Sequence, residues 1–361
     1  CWADDSRLVV ANAIDARERG ATIHTRTRFV SAAVENRTWK VRCVDQRSGA
    51  QRDIRARAIV NAAGPWVGQV LQALPQVRVD SRVRLVKGSH MVVPRLYEGS
   101  HAFMLQNPDE RIVFAIPFER EYTLVGTTDV QFLGDPGPVA ISGDEIRYLC
   151  GTVNAYFRRA VTPAEVRWTY AGVRPLLEDA SAKASRVTRD YRIEVVESDE
   201  HPLVLSLFGG KLTTYRQLAE TVMSKLQPLI GGSARAWTQR SPLPGGDMPH
   251  ADFDAFLKTV LARWPFLPEV VAHRLARAYG TRIEKVLGTA TTMQDLGQHF
   301  GASLTQAEID YLIAHEWARS ADDILWRRTK AGLSLDDNSQ QALARYMAAR
   351  GRMPEASVRV P

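Results

Sequence analysis

Cysteine is scarce in this sequence. Cys1, Cys43 and Cys150 are scattered, odd in number and form no Cys-x-x-Cys pair. That argues against a disulfide framework and a zinc site, and for a reducing compartment such as the cytosol. Long apolar runs are also missing: none reaches the roughly 18–20 residues a membrane-spanning helix needs. The opening Cys1-Trp2-Ala3-Asp4-Asp5 is polar and acidic where a secretory signal would be basic. There is no internal repeat, no low-complexity tract and no Lys/Arg block interleaved with aromatics, so no nucleic-acid partner is expected. His-Glu-x-x-His, Gly-x-Ser-x-Gly and the P-loop are absent too, and no metal site is expected.

What is present is an ordinary globular composition, 45% hydrophobic and 24% charged over 361 residues, long enough for two or three domains. The formal charge of +7 suits an anionic membrane surface or a phosphorylated substrate, and equally a well-solvated exterior.

Hydrophobic spacing predicts a helix over 6–19, stopped by Gly20, then strands at 22–30, 39–44 and 54–60. The last strand runs into Asn61-Ala62-Ala63-Gly64-Pro65-Trp66, a turn whose proline suits the start of a helix. From about Val79 the pattern changes to short strands at 82–86, 91–93, 111–116 and 122–126, as in an antiparallel sheet. Ser142 and Glu145 have capping-box spacing ahead of a helix, and so do Thr305 and Glu308. A second strand–turn–helix unit follows at 203–208, Gly209-Gly210, and Tyr215 onward. Residues 231–250 have linker composition, and the remainder is helical, including a helix from Ser320 through Trp326.

The sharpest chemical signal is Phe208-Gly209-Gly210-Lys211-Leu212-Thr213-Thr214-Tyr215-Arg216. Two glycines let a ligand approach the backbone, a helix start offers unpaired N–H groups, and Lys211 adds a full charge. A tight structural turn with an exposed lysine would have the same sequence. Arg174 and Arg189 can each grip phosphate or carboxylate through two parallel hydrogen bonds, or serve as surface ion pairs; Arg189 has Asp190 beside it. The small residues Ala62-Ala63-Gly64 at a strand end suit either a cofactor or close strand–helix packing. His90 and Thr127-Thr128-Asp129 are expected to be structural.

Eight stretches in order resemble the FAD-dependent glycerol-3-phosphate dehydrogenases, most of all the bacterial respiratory type. They are Trp2-Ala3-Asp4-Asp5-Ser6-Arg7-Leu8, Val60-Asn61-Ala62-Ala63-Gly64-Pro65-Trp66, Lys87-Gly88-Ser89-His90-Met91-Val92-Val93-Pro94, Gly126-Thr127-Thr128-Asp129, Trp168-Thr169-Tyr170-Ala171-Gly172-Val173-Arg174-Pro175-Leu176, Thr188-Arg189-Asp190-Tyr191, the Phe208–Arg216 stretch, and Ala321-Asp322-Asp323-Ile324-Leu325-Trp326-Arg327-Arg328-Thr329-Lys330. The resemblance implies an α/β plus α fold: a D-amino-acid-oxidase-like FAD domain from 1–77 and 201–230, an antiparallel-sheet substrate domain from 78–200, and a C-terminal helical domain from 231–361. It implies oxidation of sn-glycerol 3-phosphate to dihydroxyacetone phosphate by hydride transfer to FAD. Membrane quinone would be the acceptor, on the cytoplasmic face of the bacterial inner membrane, and a homodimer is allowed. Arg174 and Lys211 would lie near the reacting end and Arg189 near the phosphate. Gly209, Gly210, Lys211, Leu212 and Thr213 would line the flavin, with Ala63, Gly64 and Trp66 nearer its phosphates and the Phe29 backbone in contact with adenine.

One departure stands out: no Gly-x-Gly-x-x-Gly occurs, whereas the family opens with that pyrophosphate-binding turn. The expectation is therefore a longer product or a misplaced start, with little flavin held by this chain alone. The rival readings are a glycerol-3-phosphate oxidase that uses oxygen, and a non-catalytic fragment keeping only interaction surfaces.

Overall fold

The computed structural model describes residues 3–178, 191–231 and 235–351. Contacts divide the chain into two compact units, residues 26–239 and residues 1–25 with 240–361. The first element, α1 (Asp5–Glu18), thus clusters with the C-terminal helices; the sequence division at 77/78 follows a change of pattern, not of contacts. Asp4 caps α1 by accepting from the Arg7 N–H at 3.2 Å, and Gly20 ends it with a φ of 98°.

In the larger unit, β1 (Thr27–Glu35), β2 (Thr38–Asp45) and β3 (Gln51–Ala56) form an antiparallel meander. The strand expected at 22–30 is displaced toward the C-terminus. Asn36 and Arg37, both with positive φ, make a two-residue hairpin turn that sets the β1–β2 register, and the ladder begins at Thr27 opposite Asp45. The strand expected at 54–60 is two strands. After β3 the chain leaves the meander, and β4 (Ile59–Asn61) enters a second sheet as the parallel neighbour of residues 204–206. Helix α2 (Val67–Gln72) follows.

The sheet expected from Val79 is built from β5 (Val83–Pro94), β6 (Phe103–Gln106), β7 (Ile112–Phe118), β8 (Tyr122–Gly126) and the short β9 (Val130–Gln131). Helix α3 (Gly143–Tyr156) and β10 (Trp168–Leu177) follow, and the order is β10-β5-β8-β7-β6 with β9 against β5. The two strands expected at 82–86 and 91–93 are one. β10 pairs with β5 without a break from Leu177↔Val83 to Trp168↔Val92, which carries β5 through Gly88. The Ser142–Glu145 capping box is formed, and α3 packs Leu149, Cys150 and Val153 on Met91, Val93, Leu105, Val113 and Val125. β11 (Tyr191–Val196) and β12 (Val204–Gly209) complete the second sheet, and α4 (Tyr215–Ile230) buries Val222 and Leu226 against Leu203 and Leu205.

The other unit adds α5 (Phe253–Arg263), α6 (Glu269–Tyr279), α7 (Ile283–Leu287), α8 (Gln306–His315) and α9 (Asp337–Gly351) around one apolar core. In the described part of the stretch expected to be a linker, the chain at Gly245 packs closely instead of running free. Gly245 presses against the backbone of Tyr279 and Gly280, and its carbonyl accepts from Thr281 N–H at 3.1 Å. The capping box expected at Thr305 does not form. Glu308 is wholly buried and turns inward, accepting from Arg274 Nη1 at 2.8 Å, Arg274 Nη2 at 2.7 Å and Tyr279 Oη at 2.7 Å. A carboxylate with two cationic donors and a phenol within reach satisfies its charge better there than at a helix start. The helix expected from Ser320 is wound as a π-helix over Asp323–Arg328, where the Asp323 carboxylate accepts from the Arg319 and Ser320 N–H groups. Buried Glu316 joins Arg7 of α1 to this core. Among the described residues no helix is long and apolar enough to cross a membrane, and no cluster of three His, Cys, Asp or Glu is placed to hold a metal.

Candidate active site

β4 and β12 run parallel, with Ile59, Val60 and Asn61 opposite Val204, Leu205 and Ser206. Both therefore end at the same edge of the sheet, where open α/β sheets bind ligands. From β4 the chain turns through Ala63 into a 3-10 turn, Gly64–Trp66, that leads to α2. Buried Asn61 ties this turn by donating to Val67 O at 3.0 Å and accepting from Ala63 N–H at 3.4 Å. From β12 the chain turns through Gly209 and Gly210, with φ of 74° and 107°, a reversal that favours glycine. Lys211 follows, then a 3-10 turn (Leu212–Thr214) leading into the 16-residue α4. Gly210, Lys211, Leu212 and Thr213 are exposed, and the Lys211 ammonium makes no hydrogen bond or ion pair among the described residues. Trp66 is 38% and Leu212 47% exposed. Bare backbone, two uncovered apolar side chains and a spare cation at one sheet edge fit a flat, electron-accepting ring such as flavin.

β10 packs against both β12 and the Gly64–Trp66 turn, which brings the larger sheet to this edge. Direct pairing sets Tyr170, His90, Gly126, Phe114 and Met104 in a row across five strands on the face opposite α3. His90 stacks on Tyr170 with centroids 4.8 Å apart and planes 9° apart, and its ring lies over Gly126, where a side chain would collide with it. Arg174 lies on the same face over Gly88. It donates through Nη1 to Asp129 Oδ1 at 2.5 Å and through Nη2 to Thr127 Oγ1 at 2.8 Å. Thr128, between them, points through to the other face and donates to Glu145 Oε1 at 2.7 Å. Glu145 also accepts from Ser89 Oγ, the Ser142 N–H and the Lys87 ammonium. Burial alone would raise its carboxyl, but Lys87, the Ser142 N–H and the Thr128 and Ser89 hydroxyls hold it down to about 2.

Burial, and then the Arg174 charge, push the His90 ring from 6.5 down to about 4. Its Nδ1 is buried with no hydrogen-bond partner among the described residues. Below pH 6.5 the unfolded chain protonates this histidine while the folded chain does not. The stability held at neutral pH is therefore lost as the pH falls from about 6.5 toward 4, and His90 adds no further loss below that. The full swing is about 3 kcal/mol. His90→Phe keeps a ring on Tyr170 and removes the titration, so its urea-unfolding free energy should vary less between pH 6.5 and 4 than the parent's; parallel curves would refute the assignment.

Of the residues singled out from sequence, Ala63, Gly64, Trp66, Gly209, Gly210, Lys211, Leu212 and Thr213 come together at one sheet edge, and Arg174 is on an adjoining element. Phe29, whose backbone was expected at adenine, lies on β1 and packs against the apolar cluster that holds Trp39, Leu74 and Val204. Arg189 lies outside the described residues. Sequence reasoning treated His90, Thr127 and Asp129 as structural, yet they share a face with Arg174. The signal was Gly88 two residues before His90 and Gly126 just before Thr127: two bare positions in adjacent strands, which let large side chains lie flat.

Residues 1–216 match the family described as FAD dependent oxidoreductase, and residues 236–352 match the C-terminal domain of alpha-glycerophosphate oxidase. The chain belongs to the FAD-dependent oxidoreductases. Among these it groups with the glycerol-3-phosphate dehydrogenases. It is 47% identical to the glycerol-3-phosphate dehydrogenase of Pseudomonas aeruginosa over 96% of this flavoenzyme chain and 67% of that protein. Identity is 44% to the aerobic glycerol-3-phosphate dehydrogenase of Escherichia coli, over 96% and 69%, and 42% to the D-erythritol 1-phosphate dehydrogenase of Brucella abortus, over the same shares. The crystal structure of the glycerol-3-phosphate dehydrogenase from Bacillus halodurans complexed with FAD superposes with a TM-score of 0.82 at 27% identity, over 98% of this flavoenzyme chain and 70% of that one. The D-amino-acid-oxidase-like fold and the FAD cofactor expected from sequence are thereby established.

Proposed function

We propose that the protein oxidises sn-glycerol 3-phosphate at C2 to dihydroxyacetone phosphate and delivers the electrons to membrane quinone. The observation that carries this reading is the convergence of Gly209-Gly210-Lys211 and the Arg174 fork on touching elements, in a chain whose relatives are named glycerol-3-phosphate dehydrogenases. Bound FAD supplies a two-electron acceptor for the C2 hydride. Arg174 holds the substrate so that its C2 hydrogen faces the sheet edge. Lys211 places positive charge where negative charge arrives. Arg189 neutralises phosphate. His90, uncharged at neutral pH, adds no second positive charge beside Arg174 on this face. Residues 1–77 and 201–230 serve the cofactor, 78–200 the substrate, and 231–361 form the helical domain. The +7 charge favours peripheral, salt-sensitive binding to anionic bilayers.

The name of the Brucella abortus relative supports a second reading, in which a longer polyol phosphate undergoes the same oxidation. Steady-state rates of the complete, FAD-loaded enzyme with sn-glycerol 3-phosphate and D-erythritol 1-phosphate decide between them. A higher kcat/KM for the glycerol ester is expected, and the reverse would replace the substrate. Quinone reduction without matching peroxide is expected; stoichiometric peroxide would make the protein an oxidase. Arg174→Lys should lower kcat about tenfold, because a point charge cannot replace a planar fork. Arg189→Ala should mainly raise KM, as loss of binding common to ground and transition states does.

A further inference from the structure

We propose that Asp129 is a positioning residue: with Thr127 and the bare surface of Gly88 it fixes the plane of the Arg174 guanidinium, and so directs that fork at the reacting oxygen and away from the phosphate. The inference rests on Arg174 being a substrate contact.

A guanidinium has five N–H donors in a rigid plane. Two are taken, one by Asp129 Oδ1 at 2.5 Å and one by Thr127 Oγ1 at 2.8 Å. The Thr127 hydroxyl spends its own hydrogen on Thr128 O at 3.1 Å, so its lone pairs are what Arg174 meets. Two acceptors on the two terminal nitrogens define the plane of the group, which a single ion pair would leave free to rotate. The acceptors are themselves fixed. Thr128 accepts from Ser89 N–H at 3.0 Å and donates to buried Glu145 on the far face, pinning the residues on either side of it. Gly88 supplies the seat: a Cβ there would stand 2.6 Å from Thr127 Oγ1 and 2.7 Å from Arg174 Cζ, well inside contact distance.

Three N–H donors of Arg174 remain without a partner among the described residues, and the side chain is 32% exposed. Arg174 and Asp129 cancel in charge. A phosphate dianion brought to those donors would face the Asp129 carboxylate, at 24% exposure, as a like charge. A neutral hydroxyl or carbonyl oxygen would not. The pair therefore suits the C2 oxygen, which is a hydroxyl before the reaction and a carbonyl after it.

A double-mutant cycle tests this in the complete, FAD-loaded enzyme, with flavin content and Tm measured for every variant. The set is Asp129→Ala, Asp129→Asn, Gly88→Ala, Arg174→Ala and the doubles with Arg174→Ala. Asp129→Asn and Asp129→Ala should each lower kcat about tenfold with little change in KM for glycerol 3-phosphate, a positioning loss somewhat below that of a full ångström of misplacement. Gly88→Ala keeps every charge and lifts the fork from its seat, so it should do the same, and it carries the test if the Asp129 variants fold poorly. In the Arg174→Ala background none of these changes should slow the enzyme further, because residues acting through one group are not additive. Full multiplication of the two losses would overturn the proposal, and so would Asp129 or Gly88 losses confined to Tm or flavin content. If Arg174→Ala alone keeps the parental kcat, the substrate role of Arg174 is wrong, a different failure from multiplication in the cycle. A rise in KM alone for Asp129→Asn would mean that the pair binds phosphate, which also overturns the proposal.

Discussion

Lys211→Met should lower kcat by about 10²-fold or more while KM for glycerol 3-phosphate changes less, the scale of losing one preorganised donor at a site of developing charge. Lys211 follows Gly209 and Gly210 at the end of β12 and precedes the turn into α4, so its charge adds to the positive end of a 16-residue helix. Its ammonium has no competing partner among the described residues, so none of them draws it elsewhere. On the proposed reading, hydride transfer would bring negative charge to this edge only as the reaction proceeds. A cation waiting there stabilises the transition state more than the ground state, which is the condition for raising turnover. Methionine keeps the length and apolar stem and removes the charge. Rapid reduction of the flavin by substrate, followed in a stopped-flow instrument at full occupancy, isolates the step. A near-parental rate would leave the glycines with a purely structural turn.

Glu308→Ala should destabilise the helical unit by about 3–5 kcal/mol, the cost of removing one partner from a buried ion pair. The carboxylate is wholly buried and takes both terminal nitrogens of Arg274 and the hydroxyl of buried Tyr279. Its loss leaves Arg274 without its carboxylate and a buried phenol without an acceptor. Glu308→Gln keeps the shape and one acceptor oxygen and should fall between. Denaturant unfolding followed by tryptophan fluorescence, which Trp264 and Trp326 of this unit report, gives the values. A loss below about 1 kcal/mol, within the range of exposed pairs, would show that water reaches the pair.

The same residue marks where sequence reading stops. Thr305 and Glu308 have the spacing of a capping box, and so do Ser142 and Glu145, yet only the second pair forms one. Spacing is local, and the choice between a helix N-terminus and a distant arginine is made by tertiary packing. Helices α1, α3 and α4 and strands β2, β7, β8 and β12 were legible to within a few residues because their apolar periods are strong and their ends carry Asp, Ser or Gly signals. β5 was not legible as one strand, because its continuity comes from β10, some eighty residues later in the chain. The Gly209-Gly210-Lys211 turn was legible because its elements are contiguous. The Arg174–Asp129 pair was not: Arg174 lies on β10 and Asp129 in the turn after β8, some forty-five residues earlier, and glycine at positions 88 and 126 advertises only that something passes over them.

Glu145 links three things that the chain keeps far apart: the first turn of α3, the middle of β5 and the turn after β8 that holds Arg174. Mechanically it is a single rivet through three plates. Loosening it frees the helix cap, the strand and the turn together, so these segments should breathe as one cooperative opening unit in amide exchange, with no independent fraying of the turn. Whatever strains α3 on one face of the sheet is then felt by the guanidinium on the other, although no residue of the helix touches it.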